Sequence, residues 1–327
     1  MEITNKKAII YSIVILRGLA ALGVSMTHLQ KFTNFQANKF VNFIIDQGQQ
    51  GVAVFFVISG FVLPYSLYQN KYELNNFFQF LLKRSLRIDP PYWISILIYF
   101  IAASLPLTLL TIKAVLAHLT YAVPFVNGVE WFSGIYWTLS IEFQFYIILG
   151  LCFPFLTKAN SYTASAILIV ISILLIKSPY YSIIISKFYL FSFGYITFLA
   201  YIKKIPVIKA YFILLVFAVL VIFKISVITG LVPALTSIFI LRYQSQKKLP
   251  VFFFLGNISY SLYLLHQPAM LIFIKYAGIY TQNATILFAG SLISAIILAS
   301  LFYLMIEKPS IKLSRRINLT HNKKVAY

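Results

Sequence analysis

Long apolar runs broken by short polar segments fill the chain from residue 9 to residue 306. A helix that crosses a bilayer needs about 20 mainly apolar residues. Ten stretches are candidates: 9–29, 48–69, 91–112, 133–156, 162–177, 180–201, 206–224, 226–242, 251–276 and 283–306. The fifth and eighth are short, and only Lys224 and its neighbours part the seventh from the eighth. The pattern predicts an all-α fold, a polytopic transmembrane helical bundle of about ten helices, as a single membrane-embedded domain over 1–327. The longest excursions between runs, 30–47, 70–90 and 113–132, are too short for a separate soluble domain.

Composition agrees. Hydrophobic residues are 61% of the 327 and charged residues 10%, against roughly 25% charged in a soluble domain. The net charge of +20 invites a nucleic-acid reading, but the basic residues form no single patch. They punctuate the ends of apolar runs, as the positive-inside rule requires. With the N-terminus inside, nineteen of the 27 Lys and Arg residues fall in inner segments and six in outer ones, while Arg17 and Lys187 lie within spans. That bias places both termini in the cytoplasm and favours an even number of spans. Lys6 and Lys7 before an apolar run imitate a signal peptide; Arg17 interrupts the run, so the segment reads as a retained first helix. The basic tail 308–327 reads as an inner-leaflet anchor on membrane lipids. Cys152, the one cysteine, excludes an intramolecular disulfide and a cysteine metal cluster.

Ionisable residues inside a membrane are costly, so each is a functional candidate. Arg17 and His28 are three turns apart on one face of the first helix, about 16 Å along its axis. Small residues on or beside that face (Gly18, Ala21, Ser25) leave room for something to approach the backbone. Snorkelling and interfacial capping are the plainer explanations of the pair. In the inner excursion 70–90, Phe77, Phe78, Leu81, Leu82 and Leu86 suit an amphipathic helix lying at the interface. Arg84 and Arg87 project together from it, and paired guanidiniums suit phosphate; lipid binding is the alternative. Asp89, before Pro90 and Pro91, is placed to pair with Arg87. Glu142 lies within a span on one face with Thr138 and Tyr146, and needs a partner, Arg17 or a histidine. Ser259, Tyr263 and His266 share a face that ends at Pro268. His118 and His321 look like surface residues. Metal binding is not expected, because ionisable groups are too sparse.

These segments together resemble the bacterial acyltransferase family 3, membrane acyltransferases that modify polysaccharides and lipids. The matching stretches are LRGLAALGVSMTHLQ (16–30), GVAVFFVISGFVL (51–63), KRSLRIDPPYW (83–93), YWTLSIEFQFYIILGL (136–151), LGNISYSLYLLHQP (255–268) and IEKP (306–309). They stand in the family's order over most of the chain. The resemblance implies a ten-helix core in the bacterial cytoplasmic (inner) membrane. That core moves an acyl group, usually acetyl from acetyl-CoA, to a hydroxyl of a glycan or lipid. Arg17 and His28 match the first-helix motif, Arg84 and Arg87 the paired arginines, and Glu142 the acidic position of W-T-L-S-x-E. Ala53 stands where many members have Asp, and Asp89 where an aromatic or apolar residue is common.

The expected chemistry is O-acyl transfer with acyl-CoA as donor substrate and no permanently bound cofactor. Arg84 and Arg87 bind CoA phosphates, Arg17 binds a phosphate or orients Glu142, and His28 is the general base. Tyr146, Ser259 and His266 are the candidates to stabilise the oxyanion. A multipass exporter of a glycan or lipid is the rival, disfavoured by the lack of an inverted repeat. Acceptor identity and oligomeric state are not legible in the sequence.

Overall fold

The computed structural model describes residues 2–180, 182–243, 249–317 and 319, with side chains from residue 11 onward. Lys247, Lys248, His321, Lys323, Lys324 and the side chains of Lys6 and Lys7 lie outside the described residues. The helices in chain order are α1 (Glu2–Thr33), α2 (Lys39–Gln47), α3 (Gly51–Gln69), α4 (Phe77–Ala102), α5 (Ile112–Leu119), α6 (Trp137–Lys158) and α7 (Ser161–Leu175). They continue as α8 (Phe188–Tyr201), α9 (Val207–Lys224), α10 (Val227–Arg242), α11 (Pro250–Asn257), α12 (Ser259–Ala277), α13 (Ala284–Phe302) and α14 (Lys308–Ser314). No strand occurs among the described residues.

Every predicted apolar run contains a helix, and six helical segments among the described residues are long and apolar enough to cross a membrane. They are Tyr11–Thr33, Lys39–Gln69, Trp137–Lys158, Ile184–Tyr201, Val207–Lys224 and Ala284–Ser314. Two shorter apolar helices are α7 and α10. The helices α4 and α12, of 26 and 19 residues, are long but more polar, because they carry Arg84, Arg87 and His266.

Three boundaries differ from the sequence expectation. The excursion 70–90 is not a separate helix at the interface: α4 starts at Phe77 and runs through Pro90 and Pro91 to Ala102. Two prolines in succession leave the carbonyls of Leu86 and Arg87 without their helical donors. Tyr260 reaches in from α12 and donates to the neighbouring Ile88 carbonyl at 3.0 Å. The sixth run opens with a 3₁₀ turn at Ile184–Lys187. The ninth breaks at Ile258 into α11 and α12.

At the centre stands α8, buried at every residue from Tyr189 to Ala200. It meets α3 where Gly60 faces Gly194. A Cβ on Gly194 would strike the Val57 carbonyl oxygen and lie 2.6 Å from the Gly60 carbonyl carbon. This is small-residue packing of the kind that holds helices together in lipid, where no hydrophobic drive separates helix from solvent. The outer surface is apolar, with Phe223 84% and Leu174 76% exposed, as a lipid-facing surface requires. The first turns of the basic tail form α14, which packs on α4 and buries Ser310 and Ser314. Lys83 donates to the Ile317 carbonyl at 2.9 Å.

His118 is not a surface residue. It is 1% exposed and stacks on Phe132 with ring centroids 3.8 Å apart. Its Nδ1–H donates to the Ala114 carbonyl at 2.8 Å, and its Nε2 accepts from the Phe132 backbone N–H at 3.1 Å. The ring thus ties α5 to the segment that leads into α6 and fills the excursion 113–132 from within.

Two predictions follow from this packing. Gly194→Ala is expected to destabilise the fold by about 1–3 kcal/mol, lowering the thermal midpoint in detergent. Gly134→Ala, where nothing lies within 4 Å of the added carbon, should leave the midpoint unchanged. Burial holds His118 below the ordinary histidine range. Its folded-state affinity for protons is lower than its unfolded one, so its contribution to stability is complete above about pH 6.5 and declines as pH falls. Unfolding midpoints across pH 5–8 should show that decline, and His118→Phe should flatten it.

Candidate active site

Six elements converge on one cavity of about 150 Å³. Helix α1 contributes Ile13 and Arg17, α3 contributes Ser59, and α4 contributes Arg84 and Arg87. From α6 come Thr138, Glu142 and Tyr146, from α12 Tyr260 and Tyr263, and from the π-turn Tyr303–Glu307 comes Glu307. Val52, Phe55, Phe56 and Leu63 complete an apolar wall. The cavity therefore unites Arg17, Arg84, Arg87, Glu142 and Tyr146, five of the eight residues singled out in the sequence.

The charges are held apart. Among the described residues, no Lys or Arg nitrogen lies within 4.0 Å of a carboxylate oxygen. Glu142 takes neither Arg17 nor a histidine as its hydrogen-bond partner. Its Oε1 accepts from Ser59 Oγ at 2.9 Å and from Tyr146 Oη at 2.7 Å. Asp89 does not pair with Arg87 either. It faces the other side of α4, where Tyr121 Oη donates to it at 2.8 Å. Arg84 is 9% exposed and its Nε has no partner, while its guanidinium lies over the Phe80 ring at 5.6 Å. A buried donor left open is costly and marks where an acceptor belongs.

Glu307 is the site residue that motif reasoning passed over. It is 3% exposed, and its Oε2 accepts from the Ser261 backbone N–H at 3.2 Å and from Ser261 Oγ at 2.6 Å. Membership of the IEKP segment and its standing as one of seven acids were the available signals. The one-turn π-helix that turns it inward is a widening often found at functional sites, and no periodicity reports it.

The histidines form a second centre. His28 and His266 are not among the cavity's lining residues. Their rings meet with His28 Nδ1 2.8 Å from His266 Nε2. Val24, one turn from His28, packs with Leu139 and Tyr263, and Val52 and Phe55 close against them. Val52, Phe55, Leu139 and Tyr263 also line the cavity, and the Tyr263 ring centroid lies 6.1 Å from that of His266. The Tyr263 hydroxyl lies 2.7 Å from Thr138 Oγ1. The small residues near Arg17 do not line the cavity: a Cβ on Gly18 would come within 2.8 Å of the Gly256 nitrogen, so the helix that approaches there is α11.

The three oxyanion candidates all have their hydrogens engaged. Tyr146 donates to Glu142, Ser259 Oγ donates to the Gly256 carbonyl at 2.8 Å, and His266 Nδ1 lies 2.7 Å from the Tyr263 carbonyl. Ser259 also lies outside the cavity lining. Among the described residues that line the cavity, the buried donor without a partner is Arg84 Nε.

What this arrangement can do is bind an anion in an apolar sleeve, with the histidine pair outside the cavity lining. Among the described residues no group of three or more His, Cys, Asp or Glu side chains is placed to hold a metal ion. A comparison with family models returns the acyltransferase domain of acyltransferase family 3, matching residues 10–304. No curated protein and no solved structure gives a match. The match covers nearly the whole chain, from α1 to the π-turn, and includes all eight singled-out residues: this integral membrane protein belongs to acyltransferase family 3.

Proposed function

We propose that the chain is a membrane-bound O-acyltransferase that takes acetyl from acetyl-CoA at the cytoplasmic face. The acceptor is a hydroxyl of a cell-surface polysaccharide or lipid-linked glycan. In this reading about ten helices cross the bacterial inner membrane and both termini face the cytoplasm. The observation that carries it is the convergence of Arg17, Arg84 and Arg87 on one cavity that holds only two carboxylates. The surplus positive charge and the open Arg84 Nε suit an anion with several acceptor oxygens, and guanidinium groups match phosphate by forked hydrogen bonds. The apolar wall suits a pantetheine arm lying beyond the phosphates.

Arg84 and Arg87 hold the CoA phosphates, and Arg17 lies deeper, towards the thioester. The acceptor hydroxyl meets His28 at the other end of α1. His28 removes the hydroxyl proton, the oxygen forms the new C–O bond, the C–S bond breaks, and the proton passes to the departing thiolate. The layer of Val24, Val52, Phe55, Leu139 and Tyr263 has to part for the acyl group to reach His28. Ser59 and Tyr146 donate to Glu142 and fix its carboxyl group in the cavity that the arginines line.

Two outcomes test the reading. His28→Ala, shown to be correctly inserted, is expected to lose roughly 10²–10⁴-fold in transfer of labelled acetyl to cell glycan or lipid; full transfer would refute the base. Arg84→Ala is expected to weaken acetyl-CoA binding by roughly 10- to 100-fold, read by thermal shift of the purified protein. No stabilisation of the unaltered protein by acetyl-CoA would instead favour a glycan or lipid exporter.

A further inference from the structure

We infer that His266 is a positioning residue that fixes His28 in the tautomer a general base needs, in the place a carboxylate takes in a Ser-His-Asp triad. This rests on the reading of His28 as the base. His266 is fully buried. Its Nδ1 lies 2.7 Å from the Tyr263 carbonyl and 3.2 Å from the Leu262 carbonyl. A carbonyl oxygen only accepts, so the hydrogen is on Nδ1. In the neutral ring Nε2 is then bare and can only accept. The atom facing it at 2.8 Å is His28 Nδ1, which must carry a hydrogen and donate it. That leaves His28 Nε2 as the bare nitrogen of the pair, open to take a proton from a hydroxyl.

The ring geometry supports a true in-line hydrogen bond. The planes are 13° apart and the centroids 5.1 Å apart. That separation is the 2.8 Å contact plus one ring radius on either side. The rings therefore meet edge to edge in nearly one plane, not face to face. The lone pair of His266 Nε2 lies in that plane and points at the His28 N–H, the arrangement a strong hydrogen bond requires.

When His28 Nε2 takes the hydroxyl proton, the bond between the rings becomes charge-assisted without changing direction. The two backbone carbonyls on His266 Nδ1–H push electron density towards Nε2 and strengthen it as an acceptor. The proton goes no further, because the next atoms in line are carbonyl oxygens. It stays on His28 until the thiolate takes it, so the pair holds a proton and does not conduct one. The same geometry removes His266 as an oxyanion donor, since its hydrogen points away from His28.

The test uses full-length protein in nanodiscs with ¹⁵N-labelled histidine, in which the shifts of the ring nitrogens distinguish protonated from bare. His28→Ala and His266→Ala assign the signals. The expected result at neutral pH is a hydrogen on Nδ1 and none on Nε2 for both rings. Transfer should fall roughly 10- to 100-fold in His266→Ala. It should recover most of that loss in His266→Gln, whose side-chain oxygen reaches the position of Nε2 and accepts from His28. A protonated His28 Nε2 in the unaltered protein would overturn the inference, whatever the variants do. So would wild-type transfer in His266→Ala, or a folded His266→Gln no faster than His266→Ala. Loss of the base assignment itself is a separate result: it appears as full transfer by His28→Ala.

Discussion

Three guanidinium groups inside an apolar bundle set the terms for everything around them. An arginine cannot shed its charge in a protein, and lipid offers it no partner. The bundle answers by enclosing a cavity between α1, α3, α4, α6 and α12 and turning Arg17, Arg84 and Arg87 towards it. Two carboxylates share the space, each anchored by hydroxyl or backbone donors and not by the arginines. Because these acids are satisfied elsewhere, the cationic groups stay available. A direct Arg–Glu pair would have been more economical electrostatically and useless for binding an anion.

The same constraint explains why α4 and α12 are the least lipid-like of the long helices. They carry the groups that must face inward, and they are shielded by helices with plainer sequences. Close contacts at Gly60 with Gly194 and at Gly18 with Gly256 bring backbones together where no side chain would fit. The donor and acceptor ends of the proposed reaction are thus built into one helix, α1, about three turns apart.

Much of this was legible in the residues. Apolar runs located the helices, the expense of charge in a membrane singled out Arg17, His28, Glu142 and His266, and Arg84 and Arg87 stood out as a guanidinium pair in the inner excursion 70–90. What escaped was pairing between helices. Period and spacing place residues on a face but do not say which helix lies opposite. Asp89 therefore appeared to belong to Arg87, when Tyr121 holds it across the other face of α4. Glu142 appeared to need an arginine, when Ser59 and Tyr146 suffice. The apolar pattern of 70–90 suggested a separate interfacial helix, but α4 runs on from Phe77 through Pro90 and Pro91 to Ala102. Small residues near Arg17 looked like room for a ligand, yet they serve equally well as a seat for α11. Glu307 depends on a π-turn that leaves no periodic trace.

The central claim is that one chain accepts the acyl donor at the arginine end and acts on its acceptor at the histidine end. Sealed proteoliposomes of known insertion direction, given labelled acetyl-CoA on one side only, test it most directly. The account predicts labelled acceptor when acetyl-CoA is supplied on the side of Arg84 and Arg87, and none when it is supplied on the side of His28. Equal labelling from either side, or labelling only from the His28 side, would contradict it.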